Sequence, residues 1–253
     1  MIVVKTNDQI ARMRRAGLLV ARTLDLMAEH AQPGIPTQTL DRIAEEFIRS
    51  HGGEPAFKGY QGYPATLCVS IDDEVVHGIP GSRVLEDGQI VSIDVGVRLD
   101  GWYGDAARTL TVGPVSSDAE RLLGVTSQAL DRAIDQAREG NHLGDISAAV
   151  QELAEGQGFS VVRELVGHGI GQKMHEEPQV PNYGKPRTGP RLEAGMVLAI
   201  EPMLNAGTAN VKFDDDHWTV RTSDGSLSAH FEHTVAITAT GPRILTVSSG
   251  EDA

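Results

Sequence analysis

Apolar residues recur at helical spacing in four stretches of the chain, and these stretches form two successive pairs. Each stretch begins near a capping or turn signal and ends at glycine, as helices commonly do. The predicted helices run from a capping box at Thr6 to about Glu29, from near Thr37 to Gly52, from a capping box spanning Ser117 to Glu120 as far as Gly140, and through Ile146, Ala149, Val150 and Leu153 to Gly156.

Four other segments have the composition of β-strands. Residues 88–97 and 195–204 are short apolar and β-branched runs that follow glycine, and residues 228–238 alternate between apolar and polar side chains. Residues 244–247 (ILTV) are predicted to close the sheet. Helices that cover one face of mostly antiparallel sheets suit this order, so the predicted fold class is α+β.

The chain also repeats itself. LEDGQIVSID at residues 85–94 returns as LEAGMVLAIE at 192–201, an offset of 107, and both copies end on an acid. The helix pairs match at an offset of 106, through Leu24 and Leu130, Asp25 and Asp131, Gly34 and Gly140, Leu40 and Ile146, and Gly52 and Gly158. This duplication predicts one domain over residues 1–253, built from two half-domains, about 5–115 and 116–247, that are related by an approximate twofold axis.

Four acidic residues occupy corresponding places in the two halves. Asp94 ends the first repeat, and Asp105 follows it after RLDGWYG, a stretch typical of a hairpin turn. Glu201 ends the second repeat, and Glu232 lies in the strand predicted next to it. Carboxylates are costly among apolar residues and repel each other unless cations lie between them. The pattern therefore predicts two divalent metal ions bridged by carboxylates.

Three histidines in glycine-containing loops are candidate partners of this site. His168 and His175 lie in LVGHGIGQKMHEEP, and His77 lies in EVVHGIP. Carboxylate and imidazole ligands without thiolate suit Mn, Fe, Co or Zn. Four other histidines lie outside these two motifs and are predicted to be surface residues: His30, His51, His142 and His217.

A pair of metal ions predicts hydrolysis, because paired metals hold a hydroxide at neutral pH and polarise a carbonyl. The residues alone leave peptides, phosphate esters and other amides open as substrates. Phosphate esters are disfavoured because no basic side chain is expected to clamp the phosphate, and Arg108, the nearest, can pair at the surface.

Composition narrows the class of protein further. The net charge of −13 argues against general nucleic-acid binding, and no stretch approaches the roughly 20 apolar residues that span a bilayer. The N-terminal MIVVKTNDQIARMRR lacks the long apolar core of a signal peptide. The single cysteine, Cys68, excludes an internal disulfide and fits a reducing compartment. We therefore expect a cytoplasmic protein without membrane attachment or nucleic-acid specificity.

Six segments together resemble the type I methionine aminopeptidases of bacteria, over about residues 5 to 247: EVVHGIP, IDVGV, GDAART, GHGIGQKMHEEP, AIEPM and WTVRTSDGSLSAHFEHTVAIT. The resemblance implies the pseudo-twofold "pita-bread" metallopeptidase fold, without a separate N-terminal domain. It implies removal of the N-terminal methionine from newly made proteins and peptides, including nascent chains at the ribosome, by a metal-bound hydroxide. It also implies a small second residue in the substrate. Nothing in the sequence suggests more than a monomer, so we expect a monomeric enzyme.

The same resemblance implies roles for individual residues. Asp105 and Glu232 would bridge two divalent ions of Co, Mn, Fe or Zn. Glu201 would also act as acid and base, His175 would stabilise the tetrahedral intermediate, and His77 would hydrogen-bond the peptide beyond the cut. The implied metal ligands are Asp94, Asp105, His168, Glu201 and Glu232.

An apolar slot for the methionine side chain is implied as well, since a thioether packs well against aromatic and sulfur groups. Many bacterial members carry cysteine where this chain has Phe57 and phenylalanine where it has Met174, which leaves the shape of the slot open. The implied slot residues are Phe57, Tyr60, Tyr63, Cys68, Met174, Trp218 and Phe231.

Two other interpretations use the same fold. X-Pro aminopeptidases and prolidases usually carry an added N-terminal domain, for which this chain has no room. A catalytically inactive, peptide-binding relative would typically lose metal ligands, whereas all five are present here.

Overall fold

The computed structural model describes residues 1–248, and the four predicted helices are present within that range. The predicted capping box at Thr6 is confirmed, because the Thr6 hydroxyl accepts from the Gln9 N–H and the Gln9 side chain accepts from the Thr6 N–H. The helices are α1 (Asn7–His30), α2 (Thr37–Ser50), α3 (Ser117–Gln136) and α4 (Leu143–Gly156).

The start and the end of α3 differ from the prediction. Its N-cap is Ser116, whose hydroxyl accepts from the Ala119 N–H, so the predicted capping box at Ser117 was one residue late. Two adjacent serines give the same local signal, and only the extended backbone of Ser116 decides between them. The helix ends at Gln136, before the predicted stop at Gly140.

The four histidines predicted at the surface divide into two groups. His51 and His217 are exposed, as predicted. His30 and His142 are half-buried, because each is tied to a helix end. His30 Nδ1 donates to the Leu26 carbonyl, and His142 is the N-cap of α4, with its N–H donating to Asp145.

The strands pair only in antiparallel ladders within residues 1–248, so the predicted α+β class is confirmed. One sheet contains β1, β4, β2 and β5, and a five-stranded sheet has the order β15-β14-β9-β7-β8. Two three-stranded sheets have the orders β13-β10-β6 and β11-β12-β3. The strands are β1 (Glu54–Pro55), β2 (Leu67–Ile71), β3 (Glu74–Val76), β4 (Ile90–Leu99), β5 (Trp102–Thr111), β6 (Ser160–Val161), β7 (Gly167–Gly169), β8 (Glu176–Val180), β9 (Val197–Ile200), β10 (Met203–Asn205), β11 (Val211–Phe213), β12 (Val220–Thr222), β13 (Ser228–His230), β14 (His233–Thr238) and β15 (Gly241–Ile244).

Three of the predicted strands end elsewhere than expected. The run 195–204 is split into β9 and β10 at Glu201 and Pro202, and the run 228–238 is split into β13 and β14 at Phe231 and Glu232. The closing strand is β15, Gly241–Ile244, rather than 244–247. Proline cannot donate to a ladder, which accounts for the first split.

The sequence repeat corresponds to repeated local geometry. Gly34 and Gly140, which follow α1 and α3, have φ values of 90° and 92°. The Gly34 N–H donates to Leu85 O, and the Gly140 N–H donates to Leu192 O, at 2.8 and 2.9 Å. Glycine adopts this left-handed backbone without the steric cost of a Cβ. In both halves, the same turn therefore ties the end of the first helix to the start of the repeated phrase.

Each helix pair buries its apolar face in its own cluster. Leu24 and Leu40 belong to the cluster under α1 and α2, and their repeat partners Leu130 and Ile146 belong to the cluster under α3 and α4. Helix α1 also crosses β5 at very close range, since a Cβ added at Gly104 would lie 2.8 Å from the Gly17 nitrogen. This contact fixes β5 at the position next to Asp105.

Candidate metal centre

Asp94 and Asp105 are brought together by the β4–β5 hairpin. Asp100 and Gly101, with φ values of 50° and 81°, form its two-residue turn, a geometry that matches the twist of paired strands. In the ladder, Asp94 is opposite Ala107, and Asp105 is opposite Gly96. The two aspartates are therefore diagonal neighbours on one face, and the predicted hairpin is confirmed.

Glu201 and Glu232 lie where the strands of the second half are interrupted. The β9–β14 ladder ends at the pair Ile200 and His233, one residue before Glu201 and one after Glu232. The β10–β13 ladder begins again at Met203 and His230. The two glutamates thus face each other in the gap between two ladders, where neither backbone is bound in a strand.

Hydrogen bonds join β5 of the first half to this gap. The Glu232 N–H donates to Ala107 O at 2.9 Å. The Asp105 N–H donates to Thr234 Oγ1 at 3.0 Å, and the same hydroxyl donates to Asp105 O at 2.8 Å. Because of these bonds, the acids of the two halves meet on one side of the junction.

His168 completes the cluster from β7. One nitrogen or oxygen atom from each of Asp105, His168 and Glu232 lies within 4.8 Å of the others. His168 Nε2 is 3.8 Å from Asp105 Oδ2 and 3.7 Å from Glu201 Oε1. His168 Nδ1 lies 2.9 Å from the Gly169 carbonyl, which can only accept, so Nδ1 carries the proton and Nε2 presents its lone pair to the acids.

Without metal ions, burial disfavours the charged forms of these side chains. Burial, followed by the charges of neighbouring acids, raises the pKa of Asp94 and of Glu232 well above their ordinary values. Burial raises the pKa of Asp105 to about 7, and burial together with the charge of Asp105 raises the pKa of Glu201. Burial, with the nearby His175, lowers the pKa of His168 to about 3, so its imidazole is neutral.

Divalent cations fit this set of side chains. Three buried carboxylate oxygens have no hydrogen-bond partner among residues 1–248: Asp94 Oδ1, Asp105 Oδ1 and Glu232 Oε1. Ligand atoms of Asp105 and Glu232 converge with the unprotonated Nε2 of His168, and Asp94 lies beside Asp105. Such a group attracts hard or borderline metal ions, which would keep the carboxylates ionised despite their burial.

His175 and His77 lie beside the acids. His175 Nδ1 is 2.9 Å from the Tyr60 hydroxyl, and its ring lies 4.2 Å from the ring of His168. Burial lowers the pKa of His175, and burial, followed by the nearby His175, lowers the pKa of His77 to about 4. Both histidines are therefore neutral near pH 7 and able to donate one hydrogen bond each.

A cavity of about 200 Å³ opens from the acids into an apolar slot. Tyr63 and Trp218 meet edge to face with centroids 5.0 Å apart. The Tyr63 hydroxyl faces the carbonyls of Leu67 and Gly78, and burial raises the pKa of the Cys68 thiol, which stays protonated. The cavity is lined by Phe57, Tyr60, Gln61, Tyr63, Cys68, His77, Asp94, Asp105, His168, His175, Glu201, Trp218 and Glu232.

Two residues expected in the slot lie behind it. Met174 is buried, with its Cε 3.0 Å from where a Cβ on Gly96 would be, and the ring of Phe57 is 2.7 Å from the same point. Met174 therefore supports the wall of the slot at Phe57. Phe231 packs against the core of the second half and is not among the lining residues.

Two residues near the acids were not predicted from the sequence. Gln61 lines the cavity within the single turn Tyr60–Gly62, where its φ is 49°. His230 is buried, with Nε2 3.7 Å from Glu201 Oε2. The available signal for His230 was its position two residues before Glu232, in SAHFEHT.

Comparisons with known proteins agree with this geometry. The sequence profile of metallopeptidase family M24 matches residues 11–239 of this chain. The chain is 55% identical to the methionine aminopeptidase of Clostridium perfringens, over 98% of this chain and 99% of that protein.

Solved structures give the same result for the fold. The crystal structure of methionine aminopeptidase from Rickettsia prowazekii is 45% identical, with a TM-score of 0.96 over 98% of this chain and 100% of that chain. The prolidase from Pyrococcus horikoshii is 20% identical, with a TM-score of 0.79 over 99% of this chain and 65% of that one, which is a likeness of fold. The predicted pita-bread fold is confirmed. Within residues 1–248, none of the helices is sufficiently long and apolar to span a membrane.

Proposed function

Because the chain belongs to metallopeptidase family M24, we propose that it removes the N-terminal methionine from newly made proteins and peptides in a metal-dependent hydrolysis. The observation that carries this proposal is the cluster of four acids, of which Asp105 and Glu232 are buried, with His168 at one end of an apolar slot. The similarity to methionine aminopeptidases extends over nearly the whole chain. A slot of this size suits one side chain, which favours removal of a single residue.

The positions of five side chains support their proposed role as metal ligands. Asp105 and Glu232 come from different halves, and their ligand atoms converge with that of His168, which supports the proposal that these two carboxylates would be shared by two divalent ions. Asp94 would bind one ion, and His168 with Glu201 would bind the other. Bound divalent ions supply Lewis acidity toward a carbonyl oxygen and a strong nucleophile at neutral pH.

The protein groups around the ions would handle protons and position the peptide. Glu201 has a raised pKa because of its burial and of the charge of Asp105, which suits a carboxyl group that takes up a proton and gives it to the leaving amine. His175 would donate through Nε2 to the oxygen that becomes negative, since Tyr60 engages its Nδ1. His77 would bind the peptide beyond the cut.

The slot would select the first residue of the substrate. Phe57, Tyr60, Tyr63, Cys68 and Trp218 would contact the methionine side chain, and Met174 would act from behind Phe57. Aromatic rings and a flexible thioether pack well together. A preference for a small second residue belongs to the same proposal and is supported by the similarity to methionine aminopeptidases.

The setting in the cell belongs to the same proposal. The substrates would be free peptides and nascent chains, including those at the ribosome, and the enzyme would act in the cytoplasm as a monomer. Its catalytic domain would consist of one half at about residues 5–115 and a second at about 116–247.

The test is a peptide panel with chelated and metal-restored protein. We expect chelated protein to be inactive, and Mn²⁺ or Co²⁺ to restore release of methionine from Met-Gly-Gly. Glu232→Gln should abolish this activity, whereas the matched surface variant Asp215→Asn should retain it, because Asp215 is exposed. Cleavage confined to peptides with proline in second position, or no cleavage with any of the metals, would contradict the proposal.

A further inference from the structure

His230 is a buried polar side chain that the proposed reaction does not use. It is 1% exposed, and neither of its ring nitrogens has a hydrogen-bond partner among the residues that the structure describes. Buried polar groups in proteins are nearly always paired, and an exception calls for an explanation. The position of His230 suggests that its partner is a group whose final orientation depends on the bound metal.

The backbone of His230 is held in place from two sides. The His230 N–H donates to Thr109 Oγ1 at 2.9 Å, and the same hydroxyl donates to His230 O at 2.8 Å. Ser92 Oγ lies 2.8 Å from Thr109 Oγ1 and, because the Thr109 proton is already used, Ser92 is the donor. The ring of His230 is thus presented from a fixed backbone, as expected of a group that orients another side chain.

The carboxylate of Glu201 lies between two imidazoles. His168 Nε2 is 3.7 Å from Oε1, and His230 Nε2 is 3.7 Å from Oε2. His168 presents a lone pair, because its proton is on Nδ1. His230 has no such constraint, so its Nε2 is free to carry the proton. The two oxygens of Glu201 therefore face a cation site on one side and a hydrogen-bond donor on the other.

We propose that His230 is a positioning residue, which donates a hydrogen bond from Nε2 to Glu201 Oε2 and thereby turns Oε1 toward His168 and the metal. A small rotation of the Glu201 side chain shortens the 3.7 Å separation to a hydrogen bond of about 2.9 Å. The inference rests on the proposed role of Glu201 as a metal ligand and proton carrier.

Three variants of His230 separate donation from packing. His230→Gln retains an N–H donor of similar reach, whereas His230→Leu and His230→Met fill the space without a donor. Loss of a group that orients a metal ligand typically weakens metal binding or activity by 10- to 100-fold. We expect a loss of that size in kcat for both apolar variants, with KM for Met-Gly-Gly changed less than about threefold, and recovery to within about threefold in His230→Gln.

Metal binding tests the same contact without any peptide. Titration of the metal-free protein with Mn²⁺ in a calorimeter should show affinity lowered about 10-fold or more by His230→Leu, and little changed by His230→Gln. In a Glu201→Ala background, the substitution His230→Leu should have no further effect, because the group through which it acts is gone. If Mn²⁺ affinity follows this pattern across the variants but the wild-type protein releases no methionine, the proposed function fails and the role of His230 stands.

Other results would overturn the inference. These are a kcat within about threefold of wild type in His230→Leu or His230→Met, an equal loss in His230→Gln, or an undiminished effect on Mn²⁺ affinity in the Glu201→Ala background. Should the apolar variants not fold, nitrogen NMR of wild-type protein loaded with Zn²⁺ decides the question. A proton on Nε2 of His230 supports the inference, and a proton on Nδ1 overturns it.

Discussion

Replacing one buried acid should have opposite effects on the stability of the metal-free protein and on its response to metal. Asp105 is 4% exposed, and one of its oxygens has no hydrogen-bond partner among residues 1–248. Burial raises its pKa from 3.8 to about 7. The variant Asp105→Asn keeps the shape of the side chain and removes the charge, so it tests directly what that charge costs when metal is absent.

The magnitude follows from the rise in pKa. Below pH 3.8 the carboxyl group is protonated in both states and contributes nothing. Between 3.8 and about 7 the unfolded chain has lost the proton while the folded chain keeps it, so the folded state is penalised more as pH rises. The penalty is about 2 kcal/mol at pH 5.5 and levels off at about 4 kcal/mol above pH 7.

Denaturant unfolding of chelated protein measures this effect. At pH 8, Asp105→Asn should be more stable than wild type by up to about 4 kcal/mol, and the gain should fall to about half at pH 5.5. Mn²⁺ at 1,000 times its dissociation constant should stabilise wild type by about 4 kcal/mol and should stabilise the variant much less. The exposed Asp215→Asn serves as the control for loss of one negative charge. A metal-free Asp105→Asn no more stable than wild type at pH 8, or a gain that does not shrink with falling pH, would refute the reasoning.

Three further predictions concern the surroundings of the metal site. His175→Ala should lower kcat by about 100-fold, the scale of losing one donor to the developing oxyanion, and a change in KM alone would remove it from the chemistry. Tyr60→Phe should lower kcat about fivefold with little change in Tm, since one hydrogen bond to His175 is lost; unchanged kinetics would exclude that positioning role. Lys5→Met should reduce the free energy of unfolding by roughly 3 kcal/mol, because Glu176 loses the partner of a buried ion pair. The control Lys58→Met, from a partly exposed pair, should cost less than about 1 kcal/mol, and equal losses in denaturant unfolding would contradict the distinction.

Local sequence patterns were sufficient to predict the four helices and one half of the metal site. Helical periodicity and capping signals predicted all four helices, because an apolar face and a cap are properties of neighbouring residues. Asp94 and Asp105 could be placed together because an Asp-Gly turn between β-branched runs predicts a two-residue hairpin. The repeat predicted that Glu201 would correspond to Asp94 in the chain, but it did not predict where the two side chains would lie in space.

Other features depended on contacts between distant parts of the chain. The strand breaks at Glu201 and Glu232 turn both side chains into one gap, although the alternating pattern of residues 228–238 continues through the second break. The resemblance to methionine aminopeptidases implied Met174 and Phe231 as slot residues, but packing placed them behind the wall of the slot and in the core.

The sequence by itself determined the helices, the duplication and the kinds of side chain that would meet. Only the tertiary structure decided which oxygen faces which nitrogen, as in the separation of 3.7 Å between His230 at the end of β13 and Glu201 in the break after β9. The physical reason is that periodicity and capping are local, whereas the environment of a buried charge depends on every element packed around it.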